Sequence, residues 1–165
     1  MKANLTCLIA ATVLNLGLTV QAGVAAVTVT ANLSVVATVL DTCILTTGSA
    51  LAFSTITPQS ATNETVPGSI QVICSATRSS ITVTLGAGSG VSSGQRRMVD
   101  GSGNYLPYTV HSDTGHTHPV AVGGEIYNGA ITSAVPLNLP VYGQIPSGSY
   151  ATGAYADTVL VTLTY

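Results

Sequence analysis

The sequence predicts an all-β protein whose short strands form a sandwich or a barrel. Apolar and polar residues alternate with a period of two in several separate runs, the pattern of strands buried on one face. Turn-forming stretches rich in Gly and Ser, such as "GAGSGVSSGQ" and "PSGSYATG", separate these runs. Outside the N-terminal apolar run, no segment has helical periodicity. A length of 165 residues favours one domain.

The first 22 residues have the features of a secretory signal peptide. Lys2 precedes the apolar run "LTCLIAATVLNLGLTV", and small residues follow at Val20 and Ala22. We expect cleavage after Ala22, with Ala26 as the second choice. A membrane anchor is the alternative, but the flanks of the run disfavour it. The pattern therefore predicts removal of residues 1–22 and export of the protein.

The first predicted strand is too long for the core of a domain of this size to bury its apolar face along the whole length. Its alternation runs from Val27 to Val39, and this many extended residues span about 43 Å. Typical strands have about five or six residues. The apolar face at the front of the run consists of Val27, Val29, Ala31, Leu33 and Val35. The residues alone leave open what this face packs against.

Two later runs are the clearest internal strands. "SIQVICS" spans residues 69–75 and "SITVTL" spans residues 80–85. Each has apolar residues at every second position: Ile70, Val72 and Cys74 in the first run, and Ile81, Val83 and Leu85 in the second. Both runs therefore predict strands with one face in the core.

Three weaker runs contain residues that disfavour regular strands. "YLPYTVH" (105–111) contains Pro107, and "LNLPVYG" (137–143) also contains a proline, so we expect the latter to be an edge or bulged strand. Between them, "EIYNGAITS" carries Asn128-Gly129, which predicts a two-residue hairpin turn.

The chain ends in one more alternating strand, "DTVLVTLTY". Its apolar face consists of Val159, Val161, Leu163 and Tyr165. With the front of the first run set aside, about six strands remain. An immunoglobulin-like sandwich has at least seven. The front of the first run therefore has no partner within the domain. The domain itself is one strand short of a complete sandwich.

Cysteine usage predicts a single disulfide bond. Export would remove Cys7 with the signal peptide and leave Cys43 and Cys74. Two cysteines in an oxidising compartment most simply pair with each other. Closing a loop of this length would stabilise the fold by roughly 3–4 kcal/mol in the chain-entropy model.

The charge distribution argues against nucleic acid as a partner. Without Lys2, the mature chain has no lysine, and its basic residues are Arg78, Arg96 and Arg97. This leaves no basic patch for nucleic acid or anionic lipid. The adjacent Arg96-Arg97 pair is read as a solvated turn, or as a pairing of one arginine with an acid such as Asp100.

Short motifs follow one another in a definite order from Cys43 to the end of the chain: "LAF", "GSIQVICS", "ITVTLGAGSG", "RRM", "YLPYTV", "VYGQIP" and "GAYADTVLVTLTY". The most specific are "VYGQIP" and the ending "GxYxDTVxVTxxY". On these motifs the chain resembles the spore coat protein U domain family. That family includes pilins of the archaic chaperone–usher pili of Gram-negative bacteria.

The resemblance implies an incomplete immunoglobulin-like β-sandwich that lacks its last strand and is completed by donor-strand exchange. Residues 23–36 would be the donor-strand extension, and residues 37–165 would be the sandwich domain. The apolar face at the front of the chain would fill a groove in a neighbouring copy. The predicted change from donated strand to the subunit's own first strand lies between Val35 and Ala37. The terminal strand, with Val159, Val161, Leu163 and Tyr165, would border the groove.

The resemblance also implies partners and a location. The subunit would form a homopolymer after binding a periplasmic chaperone and an outer-membrane usher, with a tip adhesin as a possible further partner. It would be exported through the periplasm to the cell surface and serve adhesion and biofilm formation. A coat or extracellular matrix protein of the same fold is one alternative. A secreted metal- or glycan-binding module is the other.

The histidines suggest chemistry that other features of the sequence do not support. His111, His116 and His118 lie with Asp113 in "HSDTGHTHP", where a copper or zinc site is conceivable. We favour an exposed polar loop without metal, because no further ligand is evident. A hydrolase triad would need a nucleophile elbow, and the sequence has no Gly-x-Ser-x-Gly. We therefore expect neither enzymatic activity nor a cofactor.

Overall fold

The computed structural model describes residues 26–165. The predicted signal peptide, residues 1–22, lies outside the described residues. The chain divides into two units, Met1–Ala37 and Thr38–Tyr165, and the first is described only from residue 26 onward. Within the described part of the chain, no helix is long and apolar enough to cross a membrane.

The unit Thr38–Tyr165 is built from β-strands. In chain order they are β1 (Cys43–Ser49), β2 (Gln59–Ser60), β3 (Glu64–Cys74), β4 (Arg78–Leu85), β5 (Arg97–Val99), β6 (Tyr105–Pro107), β7 (Thr109–His111), β8 (Gly124–Ile131), β9 (Leu137–Ile145), β10 (Gly148–Ser149) and β11 (Val161–Thr164). No residue from 26 to 165 is helical.

Two antiparallel sheets enclose the hydrophobic core. One has the strand order β1–β3–β9–β7, and the other has the order β11–β4–β8. Two short ribbons, β2 with β10 and β5 with β6, complete the fold. Inward-facing residues from both sheets form one cluster, in which Val72 of β3 and Val83 of β4 are fully buried. The predicted all-β, immunoglobulin-like sandwich is therefore confirmed.

The two clearest internal strands are confirmed, and both are longer than the sequence indicated. β3 contains most of the 69–75 run and begins earlier, at Glu64. β4 contains the 80–85 run and begins at Arg78. They lie in different sheets, so the turn between them crosses from one layer of the sandwich to the other.

The 105–111 run forms two strands instead of one. The chain pairs with β5 as β6 and with β9 as β7. Between them, the amide of Tyr108 donates a hydrogen bond to the carbonyl of Arg96 at 3.1 Å. The break after Pro107 thus marks a change of partner strand.

The hairpin predicted at Asn128-Gly129 is wrong. β8 runs through both residues without a turn, and Asn128 lies opposite Thr82 of β4. Gly129 instead permits a close contact, because a Cβ there would lie 3.0 Å from the hydroxyl of Tyr127. That hydroxyl donates a hydrogen bond to the carbonyl of Ala130 at 2.5 Å.

The edge or bulged strand predicted for residues 137–143 is also wrong, because β9 lies between β3 and β7 and its register with both strands is regular. The proline, Pro140, is tolerated because the two sides of β9 differ. β3 pairs with β9 along its whole length, whereas β7 reaches only Tyr142, Gly143 and Gln144. On the β7 side, Pro140 therefore has no strand partner, and its missing N–H removes no hydrogen bond from the ladder.

The subunit's own first strand begins later than predicted. We placed its start between Val35 and Ala37, but β1 begins at Cys43. Its partner β3 ends at Cys74, opposite Cys43, so the preceding residues have no strand to pair with. Val39 is 95% exposed and Leu40 is 81% exposed.

Candidate functional site

The most distinctive feature of the domain is a groove between β1 and β11. Among residues 26–165, β1 pairs only with β3 and β11 pairs only with β4, so each strand has one edge without a hydrogen-bonded neighbour in this part of the chain. A cavity of about 320 Å³ lies between the two strands and includes Leu45, Val159 and Val161 in its lining. The groove therefore combines two unpaired backbone edges with an apolar interior.

The terminal strand presents the predicted apolar face to this interior. Val159, Val161 and Leu163 are half-buried and pack against the core, while the intervening Leu160 is 71% exposed. Val159 and Val161 also line the cavity. Tyr165 differs from the other three residues, since it is half exposed and its ring lies beneath the guanidinium of Arg78.

A second cavity extends the groove beyond the ends of the two strands. It has a volume of about 550 Å³ and lies between the segment that follows β1 and the segment that precedes β11. Its apolar lining includes Phe53, Ile56, Met98, Leu106 and Tyr155. This cavity was not predicted from the sequence, although the spacing in "LAFSTI" was an available signal. The two segments run in opposite directions along the groove.

A disulfide holds β1 against its neighbour. Cys43 and Cys74 are bonded to each other, as predicted, and they are directly opposite residues in the β1–β3 ladder. Because both strands belong to the same sheet, this bond does not connect the two sides of the groove.

Asp157 anchors the segment that leads into β11. Its carboxylate accepts hydrogen bonds from the amide of Ser89 at 2.6 Å and from the hydroxyl of Tyr108 at 2.6 Å. Burial, together with the hydrogen bond to Asp157, raises the pKa of the Tyr108 phenol, so this hydroxyl stays protonated as a donor. These contacts fix one border of the groove to the core. The role of Asp157 was not predicted from the sequence, although "ADTV" lies in one of the two most specific motifs.

The reading of Arg96 as part of a solvated turn is wrong. Arg96 is 4% exposed, and its guanidinium donates to the carbonyls of four residues: Leu85, Gly86, Val120 and Ala121. Burial lowers the pKa of this guanidinium. Arg96 thus joins the end of β4 to the segment before β8. Arg97 does not pair with Asp100 either, and its guanidinium lies 4.0 Å above the ring of Tyr105.

The histidine segment is only partly the exposed loop that we predicted. His111 is 5% exposed, and its ring contacts that of His116 edge to face, with centroids 5.1 Å apart. His118 is exposed. Asp113 accepts hydrogen bonds from the amides of Thr117 and His118, which lower the pKa of its carboxyl group. Among residues 26–165, no group of three or more His, Cys, Asp or Glu side chains is arranged to hold a metal ion.

Residues 26–37 form no strand, and their apolar side chains are exposed. The alternate positions that we predicted to form one apolar face include Val27 at 86% exposure, Val29 at 87%, Leu33 at 88% and Val35 at 84%. Ala31 is exposed as well. This segment therefore has the pattern of a strand without the burial of one.

Comparisons with known proteins give one family from a family model and one similar fold from a solved structure. A family model described as the Spore Coat Protein U domain matches residues 27–162, which is more than half of the chain. No curated protein sequence matches the chain.

Two solved structures are similar to the described domain. One is the CsuC–CsuE chaperone–tip adhesion subunit pre-assembly complex from archaic chaperone-usher Csu pili of Acinetobacter baumannii, with a TM-score of 0.53 and 23% identity. The match covers 78% of this chain and 41% of that chain, and it shows the fold alone. The other is a chaperone–tip adhesin complex of CFA/I fimbriae, with 15% identity over 75% of this chain and 41% of that one. Its TM-score is 0.38.

Proposed function

The chain belongs to the Spore Coat Protein U domain family, and from this premise we propose that it is a structural subunit of an archaic chaperone–usher pilus that polymerises by donor-strand exchange. The groove between β1 and β11 carries the proposal. Exposed strand edges recruit further strands unless they are covered. Here two unpaired edges face an apolar channel, which is an acceptor for one added β-strand.

The donor in this proposal is the N-terminal extension, residues 23–36, of a neighbouring copy. Full burial of each Val or Leu side chain is worth about 1.5–3 kcal/mol. Val27, Val29, Leu33 and Val35 are all exposed, so each has this contribution to gain on insertion, and Ala31 has a smaller one. The donor face from Val27 to Val35 is shorter than the groove border from Tyr155 to Tyr165, so it fits within the groove.

The same groove requires protection before assembly. Freshly exported subunits would aggregate through an uncovered apolar groove. Each subunit would therefore first bind a periplasmic chaperone and then transfer to an outer-membrane usher. We place the assembled fibre on the surface of a Gram-negative bacterium, where it would serve attachment and biofilm formation. A tip adhesin would be a further partner. No cofactor and no catalytic residue belong to this function.

Deletion of residues 23–35 tests the proposal. The shortened subunit keeps both groove borders, so it should still bind the chaperone, yet it should donate no strand. Expressed with chaperone and usher, it should give no long fibres in electron micrographs, while the intact chain should give them. Co-purification of the shortened subunit with the chaperone serves as the folding control. Long fibres formed by the deletion variant would refute donor-strand exchange through this segment.

A further inference from the structure

One end of the groove is bridged by a single side chain, that of Arg78. Arg78 is the first residue of β4, the strand that pairs with β11. Its Nη2 donates to the carboxylate of Asp41, which lies two residues before β1. Its guanidinium carbon lies 4.5 Å from the centroid of the Tyr165 ring, directly after β11. Arg78 therefore contacts the start of one groove border and the end of the other.

Independent contacts hold Asp41 in place for this interaction. The Ser75 hydroxyl donates to Asp41 Oδ1 at 3.0 Å, and the Thr42 amide donates to the same hydroxyl oxygen at 3.0 Å. The amide of Ser75 donates to the carbonyl of Thr42 at 2.9 Å. The ion pair is thus part of a network rather than a contact between two freely moving side chains.

The guanidinium of Arg78 has a donor that these contacts do not use. Its Nε–H is buried and has no hydrogen-bond partner among the described residues. A buried donor without an acceptor costs free energy that a ligand carbonyl would recover. A strand lying between β1 and β11 presents backbone carbonyl oxygens along its edges, and it passes next to this end of the groove.

The opposite end of the groove is different in character. The residues lining the larger cavity, from Phe53 to Pro58 on one side and from Tyr150 to Tyr155 on the other, include no charged side chain. Interactions there are limited to apolar contacts and neutral hydrogen bonds. Charge-assisted bonds are the stronger kind, and along the groove they are available at the Arg78 end.

We propose that Arg78 is a binding and positioning residue for the inserted strand, an inference that rests on the proposed donor-strand exchange. Through Asp41 and Tyr165 it sets the separation of the two groove borders before a strand arrives. Through Nε–H it donates to a backbone carbonyl of that strand. Because the contact is with the main chain, it does not depend on the sequence of the donor. It favours the register that brings a backbone carbonyl opposite Nε–H.

A peptide of residues 23–37 carrying a fluorophore is the probe for this proposal. The full chain, co-purified with its chaperone, is incubated with the peptide, and fluorescence anisotropy reports uptake and retention. Arg78→Gln should lower retention about tenfold, the usual effect of losing a hydrogen bond to a charged group. Arg78→Lys, which keeps the charge but lacks Nε–H, should recover part of the loss. Asp41→Asn, which leaves the guanidinium intact, should weaken retention less than Arg78→Gln.

Arg97→Gln is the matched control. Arg97 also lies over a tyrosine ring and donates through Nε to a carbonyl, that of Gly90 at 2.8 Å, but these two contacts lie outside both groove borders. It should leave retention within about twofold of the unaltered chain. Raising the salt concentration should weaken retention by the unaltered chain and have less effect on Arg78→Gln.

Two results would overturn the inference, and they are distinguishable. Equal retention by Arg78→Gln and Arg97→Gln, with normal uptake by the unaltered chain, would overturn the role of Arg78 alone. Absence of peptide uptake by the unaltered chain would overturn donor-strand exchange and this inference with it. If Arg78→Gln fails to fold, retention by Asp41→Asn at the level of Arg97→Gln would count against the bridge.

Discussion

The N-terminal extension and strand β4 have the same sequence pattern and opposite burial. Both alternate apolar residues with Thr, Ser or Asn. In β4, Val83 is 0% exposed, whereas Val29 in the extension is 87% exposed. β4 lies between β11 and β8 with the core against one face, whereas residues 26–37, the described part of the N-terminal unit, belong to no sheet. Alternation therefore specifies which face of a strand is apolar, but the partner strand decides whether that face is buried.

Supplying the missing strand within one chain should remove this difference. A second copy of residues 23–36, fused after Tyr165 through a flexible linker, should fill the groove and give a stable monomer. Burial of three Val and one Leu side chain predicts a gain of at least about 5 kcal/mol in the free energy of unfolding. Guanidinium denaturation measures this gain, and gel filtration reports the monomer.

The control for the fusion is the same chain with aspartate in place of the leucine that corresponds to Leu33 in the added copy. Its linker and length are identical, so only the packing differs. Equal unfolding free energies for the two fusions would mean that the added segment does not occupy the apolar groove.

A pair of substitutions in the native extension separates its two faces. Leu33→Asp places an unpaired carboxylate in an apolar groove and removes the largest donor side chain, so it should weaken the junction between subunits by more than about 3 kcal/mol. Thr30→Asp lies on the alternate face and should cost less than about 1 kcal/mol. The temperature at which assembled fibres dissociate into subunits measures both effects. Equal dissociation temperatures for fibres of the two variants would mean that the alternation does not decide which side chains are buried in the groove.

The smallest effect concerns the core, where His111 makes stability depend on pH. Burial, followed by the neighbouring His116, lowers the pKa of the His111 imidazole. In the unfolded chain the His111 imidazole binds a proton near pH 6.5, whereas in the folded chain it binds one only at a lower pH. The free energy of unfolding therefore has its full value above about pH 6.5 and decreases below that pH. For one proton, the slope is at most about 1.4 kcal/mol per pH unit.

Denaturant unfolding between pH 5 and pH 7.5 tests this dependence. The lowered pKa of Asp113 does not interfere, because its contribution is lost only as the pH falls below about 3.9. His111→Gln should flatten the profile, and His118→Gln, which alters an exposed histidine, should not. A flat profile for the unaltered domain would contradict the prediction.

Local features of the sequence were sufficient for part of this description. The buried faces of β3 and β4, the inward face of the terminal strand and the Cys43–Cys74 bond all followed from short-range pattern or from cysteine count. The predicted turn at Asn128-Gly129 failed because β4 pairs with Tyr127, Asn128 and Gly129 in β8, and a strand ladder prevailed over local turn propensity.

The candidate site was predictable on one side only. The resemblance indicated that the terminal strand borders an acceptor groove, and this stays a prediction. Val159 and Val161 line the cavity between β1 and β11. The opposite border, the larger cavity and the Arg78 bridge were not foreseen. Arg78 and Asp41 are separated by more than 30 residues in sequence, and no local pattern indicates that they form an ion pair. The same holds for Arg96, whose four carbonyl partners come from two distant segments.

The sequence by itself determined which residues of each strand face inward, because alternation is a property of two adjacent residues on a pleated backbone. It also determined that residues 37–165 contain no lysine and three arginines. Only the tertiary structure decided which edges stay unpaired. Pairing depends on where distant strands begin and end: β3 stops opposite Cys43, β7 stops short of Pro140, and no strand formed by residues 26–165 lies between β1 and β11. The groove arises from those long-range limits, whereas the apolar residues that line it follow from local pattern.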